Sequence, residues 1–123
     1  MRDRTLWTWH IGAGAVILVL LGLHMAIMHL NQSLGIFGAE PLAWASVAQR
    51  ATSLFFTVTY VLLLGAALYH GFYGLRNILF ELNPRAMLRR TIDVGLSAVG
   101  LALFAFGTWA ALAAPGAATM VGG

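Results

Sequence analysis

The sequence predicts an all-α integral membrane protein with three transmembrane helices. Of its 123 residues, 60% are hydrophobic and only 9% are charged, whereas soluble domains carry about 25% charged residues. Apolar stretches cover about residues 7–30, 52–80 and 94–114, and each supplies the ~20 residues that a helix needs to cross the hydrocarbon core. Backbone groups in lipid must be paired within their own segment, so these stretches are predicted to be helical. We expect a single membrane-anchor domain over residues 1–123 without a soluble catalytic domain.

The remaining composition excludes several classes of site. The chain contains no cysteine, which excludes thiolate zinc sites, iron–sulfur clusters and covalent c-type haem attachment within it. The net charge of +3 comes from arginine alone. A basic excess this small in a membrane protein reflects the orientation of the helices in the membrane and not nucleic-acid binding.

Each element has its own sequence signal. The first apolar run, from about residue 11 to residue 30, exceeds the roughly 7–15 residues of a signal-peptide core, which favours a transmembrane helix. The link 31–49 is predicted to include a short surface helix from Pro41. The pair Asn83-Pro84 predicts the end of the second helix. The Gly/Ala-rich tail after Pro115 is predicted to be loose.

Arginines predict the orientation. They precede the first helix and also fill the loop between the second and third helices, whereas only Arg50 lies at the opposite ends; the five that share a side are Arg2, Arg4, Arg85, Arg89 and Arg90. Because positively charged loops stay in the cytoplasm, we expect a cytoplasmic N-terminus and an outside C-terminus.

His70 is the first candidate for a functional residue. It lies in the stretch LYHGFYGLRNILFEL, with Ala66 and Gly74 one turn away on the same helix face. Ionisable groups inside a membrane are costly and are often functional. Two interpretations stay open here. Small residues allow close helix packing, or they leave room for a porphyrin whose iron the imidazole binds.

His24 is the second candidate, because its neighbours on the first helix are apolar. It is either a haem ligand or a buried histidine that only forms a hydrogen bond. Its depth in the membrane differs from that of His70, so the two share one iron only if the helices tilt favourably. Two haems at different depths, each completed by another subunit, fit at least as well.

His10 lies fourteen residues before His24, which puts the two within about 40° of each other around the helix. This shared face is predicted to point inward. His10 is shallow enough to contact a quinone or a haem propionate, or it is only an interfacial residue. His29 is expected to lie at the outer interface.

Two further charged residues have candidate roles. Arg76 needs an anion in or near the membrane, and the candidates are a haem propionate, Glu81 or a lipid phosphate. Asp93 is predicted to cap the third helix, where a carboxylate is favourable.

The stretch YHGFYGLRNILFEL resembles the second-helix motif of cytochrome-b membrane-anchor subunits of succinate dehydrogenase and fumarate reductase. That motif is Tyr-His, three residues, Gly-Ile/Leu-Arg and an acid several residues later. The matching residues are Tyr69, His70, Gly74, Leu75, Arg76 and Glu81. The chain length and three-helix layout also fit, so the resemblance covers essentially the whole chain.

The resemblance implies that His70 ligates haem b. It also implies that His24, which matches a histidine late in the first helix of two-haem members, ligates a second, distal haem. The family's quinone-contacting His-Arg-x-Ser/Thr-Gly stretch is reduced here to His10 and Gly14. The usual quinone site is therefore not carried over, and quinone is expected near the subunit interface, mostly on partner subunits.

The implied function is that of a non-catalytic electron-transfer subunit in a bacterial or archaeal cell (inner) membrane. It would bind one or two haems b, shared with a partner subunit, and pass electrons between an iron–sulfur subunit and membrane quinone. A flavoprotein subunit and a second hydrophobic anchor subunit are further expected partners. The alternatives are a one-haem anchor in which only His70 ligates, and a non-redox membrane scaffold or small transporter subunit.

Overall fold

Helices are the only regular secondary structure of the protein in the part that the computed structural model describes, which is residues 2–30, 34–35 and 43–121. The helices are α1 (Arg2–Met25), continued by a π-helical stretch (Ala26–Leu30), α2 (Trp44–Ala51), α3 (Leu54–Glu81) and α4 (Ala86–Val121). The described segments long and apolar enough to cross a membrane are Arg2–Leu30, Leu54–Glu81 and Ala86–Ala114. This confirms the predicted all-α fold and the three helices that are long and apolar enough to span a membrane.

Two helices begin earlier than the hydropathy pattern predicts. α1 begins at Arg2 and not at residue 7, and α4 begins at Ala86, eight residues before residue 94. Charged residues lower the hydropathy of both starts, at Arg2, Asp3 and Arg4 in α1 and at Arg89, Arg90 and Asp93 in α4, although the chain is already helical there. The prediction that Asp93 caps the third helix is therefore wrong, because Asp93 lies seven residues inside α4.

The end of α4 also differs from expectation. The helix continues through Pro115 to Val121, so the prediction of a loose tail after Pro115 is wrong. Proline removes one helical hydrogen bond, but transmembrane helices tolerate it. The alanines around it have the highest helix propensity of all residues, which favours continuation.

The other predicted boundaries are confirmed. α3 ends at Glu81, and Asn83 follows with a φ of 51°, a left-handed conformation that asparagine tolerates better than most residues. Pro84 then separates α3 from α4. The predicted short helix in the first link exists as α2, which begins at Trp44; Pro41 lies outside the described residues.

α3 lies between α1 and α4 and packs against both, while α2 packs against α3 and α4. Side chains of one helix sit over glycines of the next. A Cβ on Gly65 would lie 3.2 Å from the Phe104 ring, and one on Gly100 would lie 3.0 Å from the Phe72 ring. Small residues thus bring α3 and α4 close together.

None of the residues whose burial is described is buried. The apolar outer faces of the helices are therefore available to lipid or to partner chains. Arg2 of α1 and Arg76 near the end of α3 line the same groove, so the start of α1 and the α3–α4 loop share one end of the bundle. We call this the arginine-rich end; it carries Arg2, Arg4, Arg85, Arg89 and Arg90.

Candidate functional site: a histidine pair between α1 and α3

His10 and His70 form a stacked pair where α1 and α3 cross. Their ring centroids are 4.1 Å apart, and the rings are parallel within 2°. Each ring also covers a glycine of the opposite helix. A Cβ on Gly14 would lie 3.1 Å from His70 Cε1, and one on Gly74 would lie 3.4 Å from His10 Cε1. The contact is therefore reciprocal, and Gly74 packs against His10, as the close-packing interpretation of this face requires.

Two adjacent side chains of α3 bind backbone carbonyls of α1. The Tyr69 hydroxyl donates to the Leu6 carbonyl oxygen at 2.9 Å, and His70 Nδ1 lies 3.0 Å from the His10 carbonyl oxygen. The two carbonyls are one helical turn apart. Interhelical hydrogen bonds of this kind hold membrane helices together, and here they fix both the height and the rotation of α1 against α3.

The bond to the His10 carbonyl also determines the tautomer of His70. A carbonyl oxygen only accepts hydrogen bonds, so Nδ1 must carry the proton. In the neutral imidazole, Nε2 then holds the free lone pair, and it has no hydrogen-bond partner among the described residues. Histidines that ligate metals commonly have this arrangement, with one ring N–H donated to a carbonyl and the other nitrogen free to bind.

His24 lies at a different level of the bundle. Its ring meets Tyr60 edge to face, with centroids 5.8 Å apart. Tyr60 and His70 are ten residues apart on α3, which corresponds to about 15 Å along the axis. Axial nitrogens on one iron are only about 4 Å apart, given metal–imidazole bonds near 2 Å. His24 and His70 therefore cannot ligate the same iron, which settles a question that the sequence left open.

The surroundings of His24 are apolar and tightly filled. The space beside it holds only about 10 Å³ and is lined largely by aliphatic and aromatic residues. A porphyrin does not fit between α1 and α3 at this level. The helix becomes π-helical at Ala26, directly after this level. Such π-helical stretches are rare and often lie near functional sites. The hydropathy pattern of the sequence does not predict them.

The anion that pairs with Arg76 within the bundle is none of the three candidates that the sequence suggested. Arg76 Nε forms an ion pair with Asp93 Oδ1 across α3 and α4. The Arg76 guanidinium also lies over the Phe80 ring, 4.2 Å from its centroid, and the Arg89 guanidinium lies 5.2 Å from the same centroid. Glu81 forms no ion pair or hydrogen bond with Arg76 in the described chain. The charge of Arg76 is therefore already balanced within the bundle.

The described residues by themselves offer no chelating cluster. Among the described residues, no three His, Cys, Asp or Glu side chains come together as a metal site. Haem iron needs only axial protein ligands, because the porphyrin supplies the other four bonds. A single histidine such as His70 therefore suits haem, whereas a chelated metal ion has no site in the described residues. His29 is exposed and takes no part in the pair.

Comparison with known proteins finds no matching family model, no matching curated protein and no matching solved structure. The geometry therefore carries the functional interpretation.

One sequence signal could have revealed the histidine pair. The spacing His-x-x-x-Gly occurs on both helices, as His10 to Gly14 and as His70 to Gly74. In antiparallel helices the two copies can face each other, so that each histidine meets the other glycine. The carbonyl acceptors on Leu6 and His10 have no such signal, because every residue carries a backbone carbonyl.

Proposed function

We propose that this chain is a haem b-binding membrane-anchor subunit of a succinate:quinone oxidoreductase. It would pass electrons between an iron–sulfur subunit and membrane quinone, and oxidation of succinate would occur on a flavoprotein subunit. The observation that carries the proposal is the His70 imidazole, held inside a membrane bundle with Nδ1 on the His10 carbonyl and Nε2 without a partner in the described chain. The motif around His70 supports it further.

The residues of this chain have distinct roles in the proposal. His70 is the axial ligand, and the His10 carbonyl orients it through Nδ1. Tyr69 holds α1 in register through the Leu6 carbonyl. Gly74 acts indirectly, by admitting the His10 ring. When bound, haem b supplies a one-electron redox centre in the membrane.

The ligand geometry fits haem, but the described chain contains only part of a haem pocket. Gly74 is covered by His10, and Arg76 is paired with Asp93. The remaining walls would therefore come from another chain, which supports a second hydrophobic anchor subunit as partner. Quinone would bind near that interface, and His10 lies close enough to the arginine-rich end to contribute.

A two-haem arrangement is favoured over one haem. His24 and His70 lie at levels roughly 15–21 Å apart along the bundle axis, given ten residues on α3 and fourteen on α1, which is compatible with separate haems. His24 would ligate the distal haem at the outer surface of the helices, since the space beside it inside the bundle is only about 10 Å³. The one-haem anchor, in which His24 is structural, is the alternative.

A non-redox membrane scaffold is the second candidate function. The observation in its favour is that the His70 ring already fills the space over Gly14, so close packing accounts for part of its environment. Transport is less favoured, because the described spans contain no pair of broken helices of the kind that transporters use.

An absorption spectrum of the purified complex tests the proposal. We expect reduced-minus-oxidised haem b bands, absorbance in the pyridine haemochrome assay, and succinate-dependent reduction of a quinone by the same preparation. A complex without haem bands would favour the scaffold. Haem bands without succinate oxidation would support the haem site but reject the assignment to a succinate:quinone oxidoreductase.

A further inference from the structure

A groove of about 630 Å³ lies between α1, α3 and α4. It is lined by Arg2, Arg76 and Asp93 at the arginine-rich end and reaches Gly65 deeper in the bundle. Gly65 and Arg76 are eleven residues apart on α3, or about 16 Å along the axis. This is about half of the ~30 Å hydrocarbon core, the depth of one leaflet. His70 is not among the lining residues, so the groove is separate from the histidine pair.

The groove has a polar mouth with spare positive charge. Arg76 and Asp93 neutralise each other, whereas Arg2 has no partner among the described residues. The hydroxyls of Tyr73 and Ser97 also line the groove, and neither has a hydrogen-bond partner in the part of the chain that the structure describes. Tyr73 precedes Arg76 by three residues and Ser97 follows Asp93 by four, so these donors lie about 4–6 Å deeper than the ion pair.

The deeper walls are apolar and contain no charge. Leu101, Phe72 and Phe104 line this part, and the two aromatic rings pack over Gly100 and Gly65 of the opposite helix. The order from mouth to floor is therefore a cation, then neutral hydroxyl donors, then hydrocarbon and aromatic surface. A membrane phospholipid has the same order: an anionic phosphate, ester carbonyls that accept hydrogen bonds, and acyl chains.

We infer that this groove binds one anionic phospholipid. Its phosphate contacts Arg2, its ester groups accept hydrogen bonds from Tyr73 and Ser97, and one acyl chain lies against Leu101. Arginine pairs well with phosphate, and anionic lipids are attracted to basic residues at the membrane surface. A quinone carbonyl can accept a hydrogen bond from Arg2, but only an anionic headgroup forms a charge-assisted pair with it. The inference depends on the membrane spans and the groove and is independent of haem binding.

Lipid retention by the purified complex tests the site. The complex is delipidated in mild detergent, supplied with phosphatidylglycerol or phosphatidylcholine, and analysed by native mass spectrometry. We expect the unmodified chain to retain phosphatidylglycerol preferentially. Arg2→Gln should weaken this retention about fivefold, the effect of one arginine near the surface. Arg4→Gln is the matched control, since it removes the same charge two residues away and outside the groove lining.

A second pair of variants tests the groove without changing charge. Leu101→Trp places a bulky ring in the groove and should reduce retention of phosphatidylglycerol. Leu103→Trp is its control, because Leu103 is exposed but does not line the groove. Equal losses in Arg2→Gln and Arg4→Gln, or equal retention in the two tryptophan variants, would overturn the inference. So would retention of quinone in place of phospholipid, or a partner helix found in the groove.

Discussion

The Nδ1 atom of His70 on α3 lies 3.0 Å from the backbone carbonyl oxygen of His10 on α1. This contact joins two helices, determines the tautomer of His70, and leaves its Nε2 lone pair free. The same two residues stack through their rings at 4.1 Å. One pair of residues thus links helix packing to the proposed chemistry, because any change that moves α1 also changes the position of the imidazole.

Replacement of His70 should remove one haem. We expect His70→Ala to lose one haem b from the assembled complex, since it removes the Nε2 lone pair; His10, the other imidazole at that level, stays on α1 over Gly74. The pyridine haemochrome assay measures the loss. His29→Ala is the control, because His29 is exposed and should leave the haem content unchanged. Unchanged haem in His70→Ala would remove it as a ligand.

Gly74→Leu should damage haem incorporation nearly as much as loss of His70. A side chain at Gly74 would collide with the His10 ring, which lies 3.4 Å from the Cβ position. Overpacking of this kind typically costs about 1–3 kcal/mol, and here it would also move the carbonyl that orients His70. The control is Gly71→Leu, since no atom lies within 4 Å of a Cβ at Gly71.

Haem content and thermal stability in detergent distinguish the two glycine variants. We expect both quantities to fall in Gly74→Leu and to change little in Gly71→Leu. Normal haem binding in Gly74→Leu would show that the contact between His10 and Gly74 does not position the ligand. Equal damage in both variants would instead indicate that the outer face of α3, where Gly71 lies, contacts the porphyrin or a partner.

The sequence predicted the spans because hydrophobic length is a property of each segment alone. It also predicted the end of α3, where Asn83 and Pro84 act locally. It failed for the partner of Arg76, because that partner depends on where α4 begins and how it faces α3. The sequence placed the start of the third helix near Asp93, whereas the helix begins seven residues earlier, at Ala86. Contacts between helices depend on how the helices are shifted and rotated relative to one another, and the periodicity of the sequence alone does not determine this.

The ion pair between Arg76 and Asp93 should contribute only modestly to stability. The two side chains remain 29% and 43% exposed, and exposed ion pairs are worth roughly 0–1 kcal/mol. A double-mutant cycle with Arg76→Gln and Asp93→Asn, measured by unfolding in detergent, gives the coupling. Arg90→Gln, at an exposed position, is the control. A coupling of several kcal/mol would mean that the pair is shielded in the assembled complex.

The arginine-rich end should face the cytoplasm and the soluble catalytic subunits. A cysteine at Ala86, the first residue of α4, is expected to be protected from impermeant thiol reagents added to intact cells. The control is a cysteine at Thr52, an exposed residue at the opposite end of the bundle, which should label readily. The natural chain has no cysteine, so the background is zero. Ready labelling at position 86 with protection at position 52 would invert the topology.

The sharpest prediction concerns His24, for which a distal haem ligand and a structural histidine predict different haem counts. If His24 is a ligand, the complex contains two haems b, and His24→Ala removes one while His70→Ala removes the other. The two losses must be independent, because the histidines lie roughly 15–21 Å apart along the axis and cannot serve one iron. If His24 only packs against Tyr60, the complex contains a single haem and His24→Ala keeps it.

Redox titration separates these outcomes further. Two haems at different depths should titrate at different potentials, because their neighbours differ. A haem on His70 would lie nearer the arginine-rich end, where positive charge stabilises the reduced state, so it should have the higher potential unless partner residues reverse the order. In His24→Ala we expect the lower-potential component to disappear while the higher one stays in place. A single component in the unmodified complex, unaffected by His24→Ala, would reject the two-haem arrangement and leave His70 as the only ligand on this chain.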